Sequence, residues 1–276
     1  MKYHPMAVVV VSSLTQEGSA KTFEALEAGA VDVLGKPVNT ARMPEFEGDL
    51  LAKVKSAAFA RLRAATSAGM SSARLPPQRN SKSLDAILLG ASTGGVEALK
   101  EVLTGLPEDL PPVCIVQHIP AYISSRFAAR LNDLCALEVR EAQSGDVLRA
   151  GLALVAPGGY HLVLRRRAAQ YVAELEQTER VHHQRPAVDV LFESAAACLE
   201  GRALAVLLTG MGKDGAEGML KLKQTGATTI AQNEETCVVY GMPRAAVEIG
   251  AVDYLLPLQR IAPAILNCVG RQPVRV

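Results

Sequence analysis

The residue in this chain best placed for chemistry is a serine at the apex of a glycine-rich turn. The apolar run before Gly90-Ala91-Ser92-Thr93-Gly94 predicts a buried strand, and a helical pattern follows the turn at once. Such a turn lies at the carboxyl edge of a sheet, where the Ser92 hydroxyl is exposed beside the free N–H groups of the next helix. This geometry suits a nucleophile that attacks a carbonyl. It also suits a bound phosphate, so the turn alone does not decide between them.

Two phosphate-binding patterns fit this turn less well. A P-loop requires G-x-x-x-x-G-K-[ST], but Gly90 and Gly95 are too close together and Val96 follows in place of lysine. The dinucleotide-binding pattern G-x-G-x-x-G is interrupted by Ala91-Ser92. The motif therefore favours the G-x-S-x-G pattern of a serine nucleophile. A nucleotide- or phosphate-binding α/β module with Ser92 as the anion ligand is the alternative.

A serine hydroxyl becomes a good nucleophile when a base takes its proton, and the base is usually a histidine oriented by a carboxylate. His118 directly follows the apolar segment Val113–Gln117, and Asp214 lies in a glycine-rich loop after the segment Ala203–Leu208. Because successive parallel strands end at one edge of a sheet, we expect Ser92, His118 and Asp214 to meet there. The ordinary alternatives are a strand-end cap for His118 and a helix N-cap for Asp214.

The order of these residues along the chain is serine, histidine, aspartate. In α/β-hydrolases the acid comes before the histidine, so the G-x-S-x-G motif is not a signature of that fold here. The main-chain N–H groups of Thr93 and of the glycine-rich loop around Asp214 are candidate donors to an oxyanion.

Strand-like and helix-like patterns alternate from residue 84 onward. This alternation predicts an α/β fold with a doubly wound, mostly parallel sheet. The segments His161–Arg166 and Tyr171–Leu175 flank a short turn and predict an inserted antiparallel hairpin. The predicted strands are Ala86–Leu89, Val113–Gln117, Ala153–Ala156, Ala203–Leu208 and Thr228–Ala231, and the predicted helices include Val96–Leu103, Ser124–Cys135, Ala187–Cys198, Ala216–Gln224 and Met242–Ile249.

The first part of the chain has its own, shorter alternation. Met6–Val11 and Val31–Leu34 predict strands, and Gly18–Ala28 and Glu45–Ala65 predict helices. The composition then changes to Ser, Gly, Pro, Gln and Asn over Thr66–Ser83, which indicates a linker.

Composition excludes several classes of protein. A formal net charge of +1 argues against broad electrostatic capture of nucleic acid. No apolar run reaches membrane-spanning length, and the chain shows no signal peptide, so we expect a cytoplasmic protein without membrane insertion. Five scattered cysteines without C-x-x-C indicate reduced thiols, and we expect neither a metal nor a cofactor.

Six blocks of sequence, in order along the chain, resemble the chemotaxis protein-glutamate methylesterase family, CheB. Their number and order make a chance match very improbable. The blocks are Gly90–Gly95, Gln117–Pro120, Ala156–Gly159, Arg185–Phe192, Thr209–Gly215 and Val239–Pro243.

The resemblance implies hydrolysis of glutamate methyl esters on the cytoplasmic domains of methyl-accepting chemotaxis receptors, with release of methanol, and deamidation of receptor glutamines. It assigns Ser92 as nucleophile, His118 as base and Asp214 as orienting acid. It places Thr93 and Met211 at the oxyanion. A further set is expected to form a wall of the substrate cleft or, alternatively, a plain loop before the last helix: Tyr240, Gly241 and Met242.

The resemblance also implies three parts: residues 1–65 as a partial, flavodoxin-like response-regulator receiver domain, 66–83 as a linker and 84–276 as the methylesterase catalytic domain. Ser12 and Lys36 match the receiver's switch hydroxyl and lysine, but its phosphoacceptor aspartate is absent from this chain. A chemotaxis histidine kinase is therefore an expected partner only if a complete receiver exists. Half a receiver sheet leaves an unpaired edge, so we expect residues 1–65 to pack poorly or to pair with another chain.

The segment before the predicted helix at Ala187 carries His182, His183 and Arg185. These residues could contact an acidic receptor surface. The alternative is a solvated loop.

Overall fold

The computed structural model describes residues 6–13, 16–37, 39, 43–60, 76 and 84–271. Strands and helices alternate through most of this length. The strands are β1 Val9–Ser12, β2 Asp32–Gly35, β3 Ala86–Ala91, β4 Val113–Gln117, β5 Glu138–Glu141, β6 Asp146–Val147, β7 Leu152–Val155, β8 His161–Arg167, β9 Gln170–Glu176, β10 Ala203–Leu207, β11 Thr228–Gln232 and β12 Tyr254–Leu256. The helices are α1 Gln16–Glu27, α2 Met43–Ala58, α3 Gly95–Thr104, α4 Ala121–Leu134, α5 Val188–Leu199, α6 Ala216–Gln224, α7 Met242–Glu248 and α8 Ile261–Cys268, with a 3-10 turn at Leu258–Arg260.

A seven-stranded sheet forms the centre of the molecule, in the order β12-β11-β10-β3-β4-β7-β5. Every neighbouring pair in it is parallel. The order changes direction between β3 and β10, so the ends of these two strands flank a crevice of the kind in which doubly wound folds place their sites. The predicted parallel α/β architecture is confirmed.

Both faces of this sheet are buried, which explains the continuous apolar runs of its strands. In β3, Ile87 and Leu89 pack against α3, α4 and α8, whereas Ala86 and Leu88 face α5, α6 and α7. The alternation follows from the period of two residues along a strand. The two helical layers hold the ends of the central strands in fixed register.

A second sheet, in the order β6-β9-β8, is antiparallel. The hairpin β8–β9 confirms the insertion predicted for His161–Arg166 and Tyr171–Leu175. Leu162 and Leu164 of β8 are buried in the core that faces α5, while the far end of the hairpin carries exposed arginines. The hairpin therefore covers the α5 side of the central sheet.

The amino-terminal segment forms a two-stranded parallel sheet, β1–β2, flanked by α1 and α2. Phe23, Leu26 and Val33 join the same core as α3 and α4. Glu27 of α1 also forms an ion pair with Arg130 of α4, at 2.7 Å. These contacts pack one side of the segment on the core, but Val11, Leu51 and Val54 stay exposed, so the segment is packed only in part.

The predicted linker Thr66–Ser83 lies outside the described residues except for Pro76. Pro76 is buried, and its carbonyl accepts a hydrogen bond from the side chain of Asn267. Several short elements were not predicted, namely β5, β6, β12 and α8. Among the described residues, no helix is both long and apolar enough to span a bilayer.

Candidate active site

The three predicted strand ends meet at the carboxyl edge of the central sheet. The register pairs Ala91 of β3 with Gln117 of β4, so Ser92 and His118 continue from neighbouring strands. The N–H of His118 donates to the carbonyl of Ala91 at 3.1 Å, and the N–H of Ser92 donates to the carbonyl of Thr209 at 3.0 Å. These two hydrogen bonds hold the turn after β3 against the ends of β4 and β10.

Glycines allow the neighbouring loops to approach the Ser92 turn closely. Gly94 has a φ of 78°, the left-handed region that favours glycine. At Gly210 a Cβ atom would lie 2.7 Å from the Cβ of Ser92 and 2.3 Å from the sulfur of Met242. A side chain at position 210 would therefore push the loop away from Ser92.

A buried histidine–aspartate pair lies next to this turn. Nε2 of His118 is 2.7 Å from Oδ2 of Asp214, and both side chains are almost fully buried. Burial alone would raise the pKa of the Asp214 carboxyl. The hydrogen bond from His118 and those from the N–H groups of Val188 and Asp189 outweigh burial, and the pKa of Asp214 is lowered. Asp214 is thus held as a carboxylate.

The carboxylate determines which nitrogen of His118 can act as a base. An ionised Asp214 only accepts hydrogen bonds, so Nε2 of His118 carries the proton that lies between them. The lone pair of a neutral His118 is then on Nδ1. This ring nitrogen is the atom available to take a proton from a hydroxyl.

Two main-chain N–H groups, one next to Ser92 in the chain and one in the loop after β10, are candidate donors to an oxyanion. Within the described part of the chain, the N–H groups of Thr93 and Met211 donate to no protein acceptor, whereas that of Gly210 donates to the carbonyl of Val239. The Met211 side chain is 37% exposed. The assignment of these two N–H groups as oxyanion donors stays a prediction.

The Thr93 side chain points away from this role. Its hydroxyl donates to Oδ2 of Asp32 at 2.6 Å and accepts from the hydroxyl of Ser56 at 3.0 Å. The next N–H, that of Gly94, donates to the carbonyl of Val31 at 3.0 Å. Sequence reasoning missed this contact, because nothing in the local pattern around Asp32 points to a residue far along the chain.

The segment at 240–242 lies along the loop after β10. The N–H groups of Gly241 and Met242 both donate to the carbonyl of Gly210, at 3.0 and 2.8 Å. Met242 is fully buried, and Tyr240 is half-buried with its phenol pKa raised by burial. The structure thus places the three predicted cleft residues against the loop that also carries Met211.

Gln117 is a second residue whose role the sequence did not show. Its side-chain nitrogen donates to the carbonyl of Ser92 at 2.9 Å and to that of His118 at 3.3 Å. The side chain therefore joins the main chains of the two residues that must cooperate. A buried polar residue at the last position of an apolar strand was the signal available in the sequence.

The described residues contain one cluster with the geometry to attract a metal ion. Ligand atoms of His182, Asp189 and Asp214 lie within 4.8 Å of one another. Both carboxylates, however, already accept hydrogen bonds from main-chain N–H groups and from histidines. These donors occupy the lone pairs that a cation would need, so the cluster fits a hydrogen-bond network better than a metal site.

A serine beside a buried histidine–aspartate pair, at the carboxyl edge of a parallel sheet, is an arrangement typical of serine hydrolases. Residues 87–265 match the family model for CheB methylesterase. The chain therefore belongs to the CheB methylesterase family.

The sequences of related proteins match nearly the whole length of this chain. A protein-glutamate methylesterase/protein-glutamine glutaminase 2 of Pseudomonas aeruginosa is 50% identical over 277 residues, covering 99% of this chain and 78% of that protein. The protein of the same name from Syntrophus aciditrophicus is 46% identical over 272 residues, covering 98% and 79%. The crystal structure of the Thermotoga maritima CheB methylesterase catalytic domain matches with a TM-score of 0.65 and 37% identity, covering 67% of this chain and 98% of that structure.

Proposed function

We infer that this chain hydrolyses glutamate methyl esters on chemotaxis receptors, releasing methanol, and deamidates receptor glutamines. The observation that carries the inference is the buried His118–Asp214 pair beside the Ser92 turn, in a chain of the CheB methylesterase family. Relatives that carry both activities in their names match over nearly the full length.

The reaction follows from the positions of these groups. The Ser92 hydroxyl attacks the ester carbonyl while its proton passes to Nδ1 of His118, and Asp214 stabilises the imidazolium that forms. The N–H groups of Thr93 and Met211 bind the oxyanion of the tetrahedral intermediate. His118 then returns the proton to the departing methanol, or to ammonia when the substrate is a glutamine. Water hydrolyses the acyl-enzyme by the same steps.

The proposed substrate indicates where the enzyme acts and which proteins it meets. We propose that the enzyme acts in the cytoplasm, because the methylated glutamates of the resembled family's receptors lie on their cytoplasmic domains. A chemotaxis histidine kinase is a partner only of a chain with a complete receiver. We propose residues 84–276 as the catalytic part, and residues 1–65 as a receiver-like part that packs on it.

The alternative of a phosphate site at Ser92 has less support. A phosphate would need the free N–H groups at the start of α3. The N–H of Gly94 donates instead to the carbonyl of Val31, and that of Gly95 donates to the carbonyl of Ser92 at 2.7 Å. Two of the N–H groups at the helix terminus are thus already bound to protein acceptors.

The first prediction tests the nucleophile with a methylated receptor fragment and a serine-directed phosphonate. Ser92→Ala is expected to abolish methanol release and covalent labelling without changing the free energy of unfolding, because the hydroxyl fills no core volume. Ser144→Ala, at a serine whose hydroxyl accepts the N–H of Leu175 away from the site, is the matched control and keeps both activities. Methanol release by Ser92→Ala, or labelling at another serine, would remove Ser92 from its role.

A further inference from the structure

The start of helix α5 is bound entirely by side chains of the site and its surroundings. The N–H groups of Val188 and Asp189 donate to the two oxygens of Asp214, at 2.7 and 2.9 Å. The preceding N–H, that of Ala187, donates to Nδ1 of His161 at 3.2 Å. The first N–H groups of a helix have no partner within the helix, and they favour a negative charge nearby. The position of the Asp214 carboxylate therefore depends on where α5 begins.

The side chain of Asp189 in turn binds the start of helix α6. Its Oδ1 accepts the N–H of Gly218, in the first turn of α6, at 2.7 Å, and its Oδ2 lies 2.9 Å from Nε2 of His182. Asp214 precedes α6 in the chain and binds the start of α5, while Asp189 belongs to α5 and binds the start of α6. The two helices thus cap each other with one carboxylate each.

Helices α5 and α6 approach each other so closely that no side chain fits at Gly218. A Cβ atom at Gly218 would lie 2.7 Å from the Cβ of Phe192 and 2.9 Å from the carbonyl oxygen of Asp189. Asp189 itself is buried. Its side chain is too deep to contact a receptor, so any effect it has on the reaction must pass through Asp214.

We propose that Asp189 is a positioning residue for the Asp214–His118 pair: it anchors α5 to α6, and its charge adjusts how readily His118 takes the proton of Ser92. This inference rests on the proposed function, since it concerns the same reaction. Asp189 touches neither substrate nor Ser92, and its effect is a matter of geometry and charge.

The charges around Asp189 come from several elements. Burial raises the pKa of the Asp189 carboxyl, the hydrogen bond from Gly218 lowers it, and the neighbouring charge of Asp214 raises it again. Lys221 of α6 faces Asp189 from the surface and is itself paired with Glu193. Other charged or titratable groups near the junction of α5 and α6, on β8, on β9 and in the loop before α5, are His161, Glu176, His182 and Arg185.

The test compares Asp189→Asn with Asp189→Ala, by methanol release and by the rate at which the phosphonate labels Ser92. Asn keeps an oxygen for the N–H of Gly218 but removes the charge. We therefore expect the pH of half-maximal labelling to fall by about half a unit. Ala also removes the anchor, and we expect kcat to fall at least about tenfold with KM within about twofold. Glu200→Gln, which removes an exposed carboxylate at the far end of the same helix, leaves the profile unchanged.

The histidine is tested in the same way. His182→Gln is expected to leave the half-maximal pH closer to the wild-type value than Asp189→Asn does, because the Asp189 carboxylate and its bond from Gly218 remain. His183→Gln, at the exposed neighbour, serves as its control. Thermal unfolding verifies that each variant is folded at the assay temperature. If Asp189→Ala is not folded, Asp189→Asn carries the test.

The proposed function and the positioning role of Asp189 are contradicted by different results. Failure of the wild-type chain to release methanol from the methylated receptor fragment contradicts the proposed function. The positioning role is contradicted by a different result. In that case the wild-type protein is labelled, and the folded Asp189 variants keep its pH profile and its kcat. A shift of equal size in Glu200→Gln contradicts the positioning role as well, because the effect would then be one of net charge alone.

Discussion

Asp214 has two tasks at the residue scale, and they can be separated by mutation. One oxygen faces Nε2 of His118 while both accept N–H groups of α5. A carboxylate can meet all of these donors because it is an acceptor only. An amide has a donor side as well, so it cannot reproduce the whole set. The residue therefore orients the base and holds the helix at once.

We predict that Asp214→Asn lowers kcat at least about 10²-fold, and that His118→Ala lowers it as far or further. An amide N–H facing Nε2 would favour the proton on Nδ1, where His118 can no longer act as a base. In the wild-type protein we expect the rate to rise with pH, because only a neutral histidine accepts the proton. Steady-state kinetics from pH 5 to 9 measures both effects. A greater loss in Asp214→Asn than in His118→Ala would contradict these roles.

At the scale of elements, the start of α5 depends on a neutral histidine. His161 is fully buried; its Nε2 lies 3.0 Å from the carbonyl of Glu179, and its Nδ1 accepts the N–H of Ala187. One nitrogen thus donates and the other accepts, which only the neutral ring can do. Burial lowers the pKa of His161, chiefly because a charged ring would lose its hydration.

We predict that acid weakens this junction. Because the pKa of His161 is lower in the folded protein than in the unfolded chain, the unfolded chain takes up a proton first as the pH falls below about 6.5. Its contribution to stability is therefore complete above that pH and is lost as the pH falls toward the folded-state value. Urea unfolding at pH 7.5 and 5.5 should show a smaller loss in His161→Asn, whose amide oxygen can still accept the Ala187 N–H. An equal loss of unfolding free energy in the wild-type protein and in His161→Asn would contradict His161 as the cause of the acid sensitivity.

At the scale of the whole molecule, the amino-terminal segment is joined to the active-site turn by a buried polar contact. Asp32 accepts the hydroxyl of Thr93 and also pairs with Lys53 of α2, while Ser56 of the same helix donates to Thr93. Buried polar groups are costly when they lose a partner. The position of this segment is therefore coupled to the turn that carries Ser92.

We predict that Thr93→Val loosens the amino-terminal segment, because Asp32 and Ser56 each lose a partner while the volume is kept. The expected loss is about 1–3 kcal/mol in the free energy of unfolding. Hydrogen exchange over residues 16–37 should become faster than in the wild-type protein. Thr104→Val, at an exposed hydroxyl that bonds only to its own helix, is the control. Equal protection in both variants would contradict the coupling.

Much of the fold could be predicted from the sequence because its signals are local. The apolar runs around Ile87, Ile115 and Val206 mark strands buried on both faces, and they lie within one or two residues of the observed bounds. The positions after them, occupied by Ser92 and His118, had to fall at one edge, since parallel strands share their direction. The short strands β5, β6 and β12 escaped notice because two to four residues carry too little pattern.

The tertiary structure alone decided which groups touch. Local pattern could place Asp214 at the start of a helix, yet the helix whose N–H groups it binds is α5, reached only after folding brings residues 188 and 214 together. Asp32 and Thr93 meet across a similar gap in the chain. Hydrogen bonds of this kind depend on distances of a few tenths of an ångström between elements far apart in sequence, and no propensity or spacing encodes such distances. The sequence determined the chemical groups and the edge at which they gather, and packing of the helices on the sheet determined their partners.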